Sequence, residues 1–256
     1  MLSLLQSPRQ KLLLQILQSY QPLTKRELSQ RMAISESTMR RELRPFLEAG
    51  VIVSQSGRLK LGYPAESENP FILRTSVNED EKRRIARCAL ELVKNGETIF
   101  IAGGTTTLEF ARLLPDGRRL TVITNSLLVA NALAGNRSIR LVVLGGELRP
   151  DEYTMHGHLT LQAIEQVRAD KLFYGIEALS VEHGLTHSQL LEISTDRALI
   201  GACTQTIVLS DHTKFGKVAS GVVVPLSEIQ VIVTGQELGA EFRAEMQRLN
   251  IRLILA

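Results

Sequence analysis

The chain of 256 residues is 44% hydrophobic and 22% charged, with 30 lysines and arginines against 27 acidic residues. That length buries a sizeable core in one large domain or two unequal ones, and the proportions are those of a soluble globular protein. No apolar run approaches the roughly 20 residues that span a bilayer, MLSLLQSPRQ does not read as a secretory leader, and Cys88 and Cys203, far apart and each in a helix-like pattern, make neither a disulfide framework nor a zinc site.

The expected compartment is therefore the cytoplasm, and the expected role of both cysteines is that of small buried side chains. Charge is unevenly spread. Residues 1–62 hold ten basic residues (Arg9, Lys11, Lys25, Arg26, Arg31, Arg40, Arg41, Arg44, Arg58, Lys60) against four acids (Glu27, Glu36, Glu42, Glu48), a balance of +6. The remaining 194 residues carry 20 basic and 23 acidic residues, a balance of −3. Such asymmetry predicts that the first quarter meets a polyanion while the rest does another task.

Pro8 can open a helix, because the first turn has spare N–H groups. Leu12, Leu13, Ile16 and Leu17 then form a helical stripe, which Tyr20-Gln21-Pro22 ends. Thr24-Lys25-Arg26-Glu27 has the form of a capping box, opening a short helix with Leu28 and Met32 inward that stops near Ala33. Ser35 can cap a third helix, on which Met39 and Leu43 share one face. Ser37, Thr38, Arg40, Arg41 and Arg44 follow at its start and along its outer side. Pro45 predicts a kink or restart there, with Phe46 and Leu47 still inward.

Two short helices, a tight turn and a hydroxyl-started, arginine-faced helix predict a helix-turn-helix. A helix fits the major groove, its first residues reach base edges, and arginines hold phosphate or guanine. Val51–Ser54 and Arg58–Leu61 alternate around Gln55-Ser56-Gly57, a hairpin with Gly57 at positive φ. It reads as a wing with Arg58 or Lys60 on backbone phosphate. The predicted DNA-binding residues are Thr24, Ser35, Ser37, Thr38, Arg40, Arg41, Arg44 and Arg58.

Gly62–Pro70, rich in Pro, Glu, Ser and Gly, reads as a linker, which divides the chain into a DNA-binding domain (1–62), a linker (63–77) and a second domain (78–256). A helix is predicted from Asn78, with Glu81 three residues on, to about Lys94. Apolar strand-like runs follow at 98–102, 121–124, 139–144, 171–176, 206–210, 230–234 and 251–255, with helical stretches at 107–114, 127–134, 158–167, 188–203 and 237–249. Such alternation predicts an α/β domain with a mostly parallel sheet covered on both faces.

Ligands of such sheets bind outside the carboxyl ends of the strands. Those ends carry Gly103-Gly104-Thr105-Thr106-Thr107, Asn125-Ser126, Gly145-Gly146-Glu147, Gly175-Ile176-Glu177 with Gly184-Leu185-Thr186 behind it, and Asp211-His212-Thr213-Lys214-Phe215-Gly216-Lys217. Backbone N–H groups and hydroxyls at a helix start favour an anion. The predicted effector site is Gly103, Gly104, Thr105, Thr106, Thr107, Asn125, Ser126, Gly145, Gly146, Glu177, Asp211 and Lys214, taking a small phosphorylated, hydroxyl-bearing molecule. His156, His158, His183 and His187 show no ligand spacing and read as scattered surface or turn residues. No cofactor and no metal is expected.

Over nearly its whole length the chain resembles the DeoR family of bacterial transcriptional regulators. ISESTMRREL is similar to the family's recognition helix, and IFIAGGTTT, TVITNS, VVLGGELR, FYGIEALSVEHGLT and LSDHTKFGK follow the order of its effector-domain motifs. The resemblance implies a winged helix-turn-helix joined to a sensor similar to ribose-5-phosphate isomerase. It implies repression of an operon for sugar or nucleoside catabolism and a response to a phosphorylated intermediate, here a phosphorylated sugar. A homodimer or homotetramer on the operator is expected, since one such helix alone binds weakly. Thr105–Thr107 match its phosphate cradle, Asn125-Ser126 its TNS step, Gly145-Gly146 its LGG step, and Asp211, Lys214, Phe215 and Gly216 its D-x-S-K-F-G, with Thr213 for Ser. The chain departs from the family at Ala102-Gly103, where an acidic residue is common, and at Gly175-Ile176-Glu177-Ala178 for a GADG-like turn. It departs again at Thr195-Asp196-Arg197, where lysine is common, and after the wing, where the HGG is absent.

The alternative is a sugar-phosphate isomerase-like enzyme, with Glu147, Glu177 or Asp211 as the carboxylate base. A basic winged helix has no role in that reaction, and a shared fold does not guarantee shared chemistry; the regulator is the preferred reading.

Overall fold

A computed structural model describes residues 8–48, 50–62 and 71–256. They form two units, one ending at Val77 and one starting at Asn78. The expected linker residues 63–70 lie outside the described residues.

In the first unit, α1 (Pro8–Tyr20) starts at the proline. The face it buries is Leu13, Leu14 and Leu17, while Leu12 is exposed and Ile16 only partly covered. The buried stripe is therefore rotated by part of a turn from the expected one: three consecutive leucines, Leu12 to Leu14, followed by Ile16 and Leu17, leave its edge undefined. β1 (Leu23–Thr24) leads into α2 (Lys25–Arg31). The capping box forms: Glu27 N donates to Thr24 Oγ1 (3.2 Å), and Thr24 N donates to Glu27 Oε2 (2.7 Å).

α3 (Glu36–Glu48) buries Met39, Leu43 and Phe46. Each such side chain contributes about 1.5–3 kcal/mol. The kink or restart expected at Pro45 is absent as an interruption, since α3 is one helix through it. The missing N–H belongs to the half-exposed face, where water can satisfy the freed carbonyl of exposed Arg41. β2 (Ile52–Gln55) and β3 (Arg58–Leu61) make the hairpin, with Ser56 and Gly57 at φ 51° and 76°. β1 pairs antiparallel with β3, giving a three-stranded sheet that the sequence reading lacked. α4 (Phe71–Arg74) adds Leu73 to this core.

The second unit opens with α5 (Glu79–Leu90). The Asn78 side chain does not cap it. Asn78 sits at φ 52° and donates to Asp211 Oδ1 (3.1 Å) instead, and Glu81 is buried against His212. Then come β4 (Thr98–Ile101), α6 (Thr105–Arg112), β5 (Leu120–Thr124), α7 (Leu127–Leu133), β6 (Ile139–Val143), the hairpin β7 (Glu147–Arg149) and β8 (Thr154–His156), and α8 (His158–Glu165). The chain continues with β9 (Ala169–Tyr174), β10 (Ala178–Ser180), β11 (Gly184–His187), α9 (Leu190–Gly201), β12 (Cys203–Leu209), β13 (Gly221–Val224), β14 (Val231–Thr234), α10 (Ala240–Arg248) and β15 (Arg252–Leu255).

All seven runs read as strands join one parallel sheet in the order β15-β14-β12-β9-β4-β5-β6. The near-continuous apolar runs follow from burial on both faces. Phe110 of α6 stacks on Phe173 of β9 with centroids 4.2 Å apart. The chain winds outward through β5 and β6, then returns past β4 to lay β9, β12, β14 and β15 on the other side. The reversal places a crevice between the carboxyl ends of β4 and β9.

Two small sheets, β7-β8 and β10-β11-β13, were not anticipated. Their strands are three or four residues long, too short for a period to register. Cys203 opens β12 rather than closing a helix, and both cysteines are half-buried rather than fully buried.

Candidate functional site

In the first unit the outer face of α3 carries Ser37, Arg40, Arg41 and Arg44, all exposed. Ser35 caps the helix: Thr38 N donates to its Oγ (3.3 Å), and its hydroxyl bonds those of Thr38 (2.9 Å) and Ser37 (3.0 Å). Arg44 pairs with Glu48 (2.7 Å). Among the described residues no ion pair holds Arg40 or Arg41. Lys25, Arg40 and Arg44 line one concavity with Leu43, Leu47 and Glu48. Arg58, at the wing turn, donates to Pro22 O (3.2 Å). Thr24 differs from the rest, because its hydroxyl is engaged by Glu27.

In the second unit the loops after β4 and β9 meet at the crevice, while the other predicted residues follow the same carboxyl ends of the sheet. Gly104 precedes α6 at φ 140°, open to glycine alone. A Cβ on it would lie 3.7 Å from Gly175 Cα, so the loops after β4 and β9 run in contact. Thr105, Thr106 and Thr107 are buried at the helix start. Thr107 donates to Gly104 O (3.0 Å), whereas the hydroxyls of Thr105 and Thr106 have no partner among the described residues.

Ser126 caps α7, accepting from Val129 N (3.4 Å). Asn125, 3% exposed, donates to Met155 O (3.1 Å), and its Oδ1 has no hydrogen-bond partner among the described residues. Gly145 O accepts from Thr160, and a Cβ on Gly146 would strike the same hydroxyl; this pair serves the packing of α8. Glu177 Oε2 accepts from Ser188 N and Oγ (both 2.8 Å).

Asp211 accepts from Thr213 N (3.1 Å) and from Asn78. Burial pushes its carboxyl up, but the Thr213 hydrogen bonds and the charges of Lys82 and Lys214 outweigh this and hold it below the usual value. Glu81, Asp211 and His212 bring three potential ligand atoms within 4.8 Å. Both Glu81 oxygens are already taken up by His212, through its N and Nδ1 (2.8 Å each).

The reading of the histidines as scattered fails for two of them. His156 Nε2 and His187 Nε2 both lie 3.7 Å from Glu192 Oε2, and His187 Nδ1 lies 3.5 Å from Glu177 Oε2. Arg149 is bound to the other Glu192 oxygen. His158 is exposed, and His183 sits beside exposed Glu182. Asp196, one turn after Glu192 on α9, is buried, which raises its carboxyl to about 6 even though His187 and a hydrogen bond from Tyr174 pull the other way. Burial keeps the His156 imidazole below its ordinary value. No spacing could have found these five residues, which are drawn from β7, β8, β11 and α9.

Comparison with known proteins agrees with this division. The family described as DeoR C terminal sensor domain matches residues 77–236, and winged helix-turn-helix DNA-binding matches residues 6–53. The chain is 30% identical to the HTH-type transcriptional regulator GolR of Listeria innocua, over 97% of this chain and 98% of that one. It is 34% identical to the glycerol-3-phosphate regulon repressor of Escherichia coli, over 81% and 82%. Ribose 5-phosphate isomerase A of Methanocaldococcus jannaschii is similar in structure, with a TM-score of 0.39 and 22% identity over 54% of this chain and 55% of that one.

Proposed function

The chain belongs to the DeoR family of transcriptional regulators and is a DNA-binding regulator rather than an enzyme; from that premise we propose that it represses a carbohydrate catabolic operon and is released from DNA by a phosphorylated sugar. The observation that carries the effector half is the loop after β4: three buried threonines at a helix N-terminus, two of whose hydroxyls have no partner among the described residues, following a glycine pair, Gly103 packed against Thr154 and Gly104 at φ 140°, that turns the chain into the helix start. Asp211 and Lys214 follow β12 at the same end of the sheet. A relative that is a glycerol-3-phosphate regulon repressor supports a phosphorylated effector.

On DNA, the N-terminus of α3 offers Ser35, Ser37 and Thr38 to base edges, Arg40, Arg41 and Arg44 lie on its outer side, and Arg58 sits on the wing. One recognition helix alone binds weakly, so the protein works as a homodimer or homotetramer in the cytoplasm. Leu190 and Leu191 of α9, 63% and 90% exposed, support association through the sensor. A ligand that prefers the low-affinity arrangement shifts the population off DNA; a coupling of about 1–3 kcal/mol changes affinity roughly 5- to 150-fold.

The test pairs a salt-dependent gel shift on the operator with thermal shifts in phosphorylated sugars. Thr106→Ala and Lys214→Ala are expected to keep operator binding and lose the sugar-phosphate response. A full response in both would sink the cradle.

A further inference from the structure

The cluster around Glu192 closes a ring with the phosphate cradle. A Cβ on Gly103 would lie 2.2 Å from Thr154 Cγ2, and Thr154 Oγ1 bonds His156 Nε2 (2.8 Å). From His156 the contacts run to Glu192, to His187 and to Glu177, each 3.5–3.7 Å. Glu177 follows two residues after Gly175, which touches Gly104. Asp196 joins from α9 through Tyr174, the residue before Gly175. The ring therefore encircles the ground above the β4/β9 crevice, with threonine hydroxyls on one side and an acid–imidazole wall on the other.

That wall is chemically unlike the cradle. The wall brings together the carboxyl groups of Glu177, Glu192 and Asp196 and the guanidinium of Arg149, which is bound to Glu192, so its acidic groups outnumber the guanidinium. Two of the atoms here that lack a partner are acceptors: Asn125 Oδ1 and Asp196 Oδ2, on residues 3% and 6% exposed. His156 Nδ1 is also unpaired. Buried acceptors left unpaired are costly, and ligand hydroxyls are suitable donors. A second phosphate or a carboxylate would meet like charge at short range.

Resting on the reading of a phosphorylated effector, we propose that His156, His187, Glu192 and Asp196 form the second half of the effector site. They take the uncharged, hydroxyl-bearing end of a sugar or polyol monophosphate and reject bisphosphates and sugar-acid phosphates. Arg149 positions Glu192 rather than serving as an anion ligand. Selectivity is thus set opposite the phosphate, by a wall that penalises the wrong partner.

The experiment is titration calorimetry on the full chain with inorganic phosphate, fructose 6-phosphate, glucitol 6-phosphate, fructose 1,6-bisphosphate, 6-phosphogluconate and unphosphorylated glucitol. The expected result is that at least one neutral-ended monophosphate binds tenfold or more tighter than inorganic phosphate, the bisphosphate and the sugar acid. Asp196→Asn, and separately His187→Gln, should erase most of that margin and leave inorganic phosphate binding unchanged, with melting curves confirming that each is folded; Thr106→Ala should weaken every phosphorylated probe. Equal binding of the bisphosphate or the sugar acid by the wild-type protein overturns the inference. So does an unchanged margin in whichever of the two variants folds. Should glucitol bind through the wall while no phosphorylated probe does, the phosphate reading falls and the wall stands; if no probe binds, both fall.

Discussion

The two units of this chain place their polar chemistry in opposite ways. In the first, among the described residues, the buried polar side chains are only Ser29 and Ser76, and the residues proposed to act lie on the outer surface of α3 and the wing. In the second, Glu81, Lys82, Thr105 to Thr107, Asn125, Glu192, Asp196 and Asp211 are all buried, and several are held by other groups of the same unit: Glu81 by His212, Glu192 by Arg149, Asp211 by Asn78 and Thr213. A DNA reader must offer charge to a partner that brings its own, so its arginines stay solvated until they bind. A small-molecule sensor must strip its ligand of water, so its polar groups are held inside, some bonded in advance and some, such as Asn125 Oδ1 and Asp196 Oδ2, without a hydrogen-bond partner among the described residues.

The contrast can be tested by substitution, beginning with the largest expected effect. Arg40→Ala with Arg41→Ala should weaken operator binding on the order of 100-fold and make its dependence on salt shallower by about two charges, with the thermal melt unchanged. A lowered melt would mean that these arginines serve the fold. Asp196→Asn should act the other way, on stability. Its carboxyl is raised from 3.8 to about 6, so the folded protein binds a proton that the unfolded chain has released. Wild-type stability therefore falls as pH rises from about 4 through 6, by about 3 kcal/mol from this group. The asparagine variant should lack that slope in denaturant melts of the second unit, gaining most at neutral pH. Arg149, His187, Glu192 and Tyr174, which face the carboxylate, set the size of the effect.

Asp211 supplies the opposite sign within the same unit. Its carboxyl is held low, so it contributes stability above the ordinary carboxylate range that is lost as pH falls through its folded value. Asp211→Asn should lower the melting temperature at pH 7 and converge with wild type in acid. The smallest effect concerns Thr24. With its hydroxyl engaged by Glu27, Thr24→Ala should cost about 1 kcal/mol in stability. If operator affinity also drops more than the loss of folded protein explains, Thr24 touches DNA as well as capping α2.

Much of this was legible in the residues. Each of the seven apolar runs became a strand of the parallel sheet, because strands of a sheet covered on both faces are mostly apolar and stand out from the helices between them. The capping box at Thr24 and the turn at Ser56-Gly57 formed because each depends on groups within four residues of one another. Asn78 shows the limit. It looked like a cap with Glu81, yet both side chains turn to the segment after β12, Asn78 to Asp211 and Glu81 to His212, 133 and 131 residues away. The threonines proposed as a cradle stand at a helix start for the same local reason as the caps, since a glycine pair before a helix sets its first N–H groups and hydroxyls in sequence order.

Element types, the charge division and the threonine-rich helix start after β4 thus follow from the order of residues alone, since periodicity, capping and N–H exposure act over one or two turns of chain. The wall of His156, His187, Glu192 and Asp196 does not. Its members are spread over forty residues and two elements too short to carry a period, and they become one charged surface only when the β7-β8 hairpin and α9 are packed over the same strand ends. Coulomb energy depends on distance through space, and folding, not spacing along the chain, sets that distance.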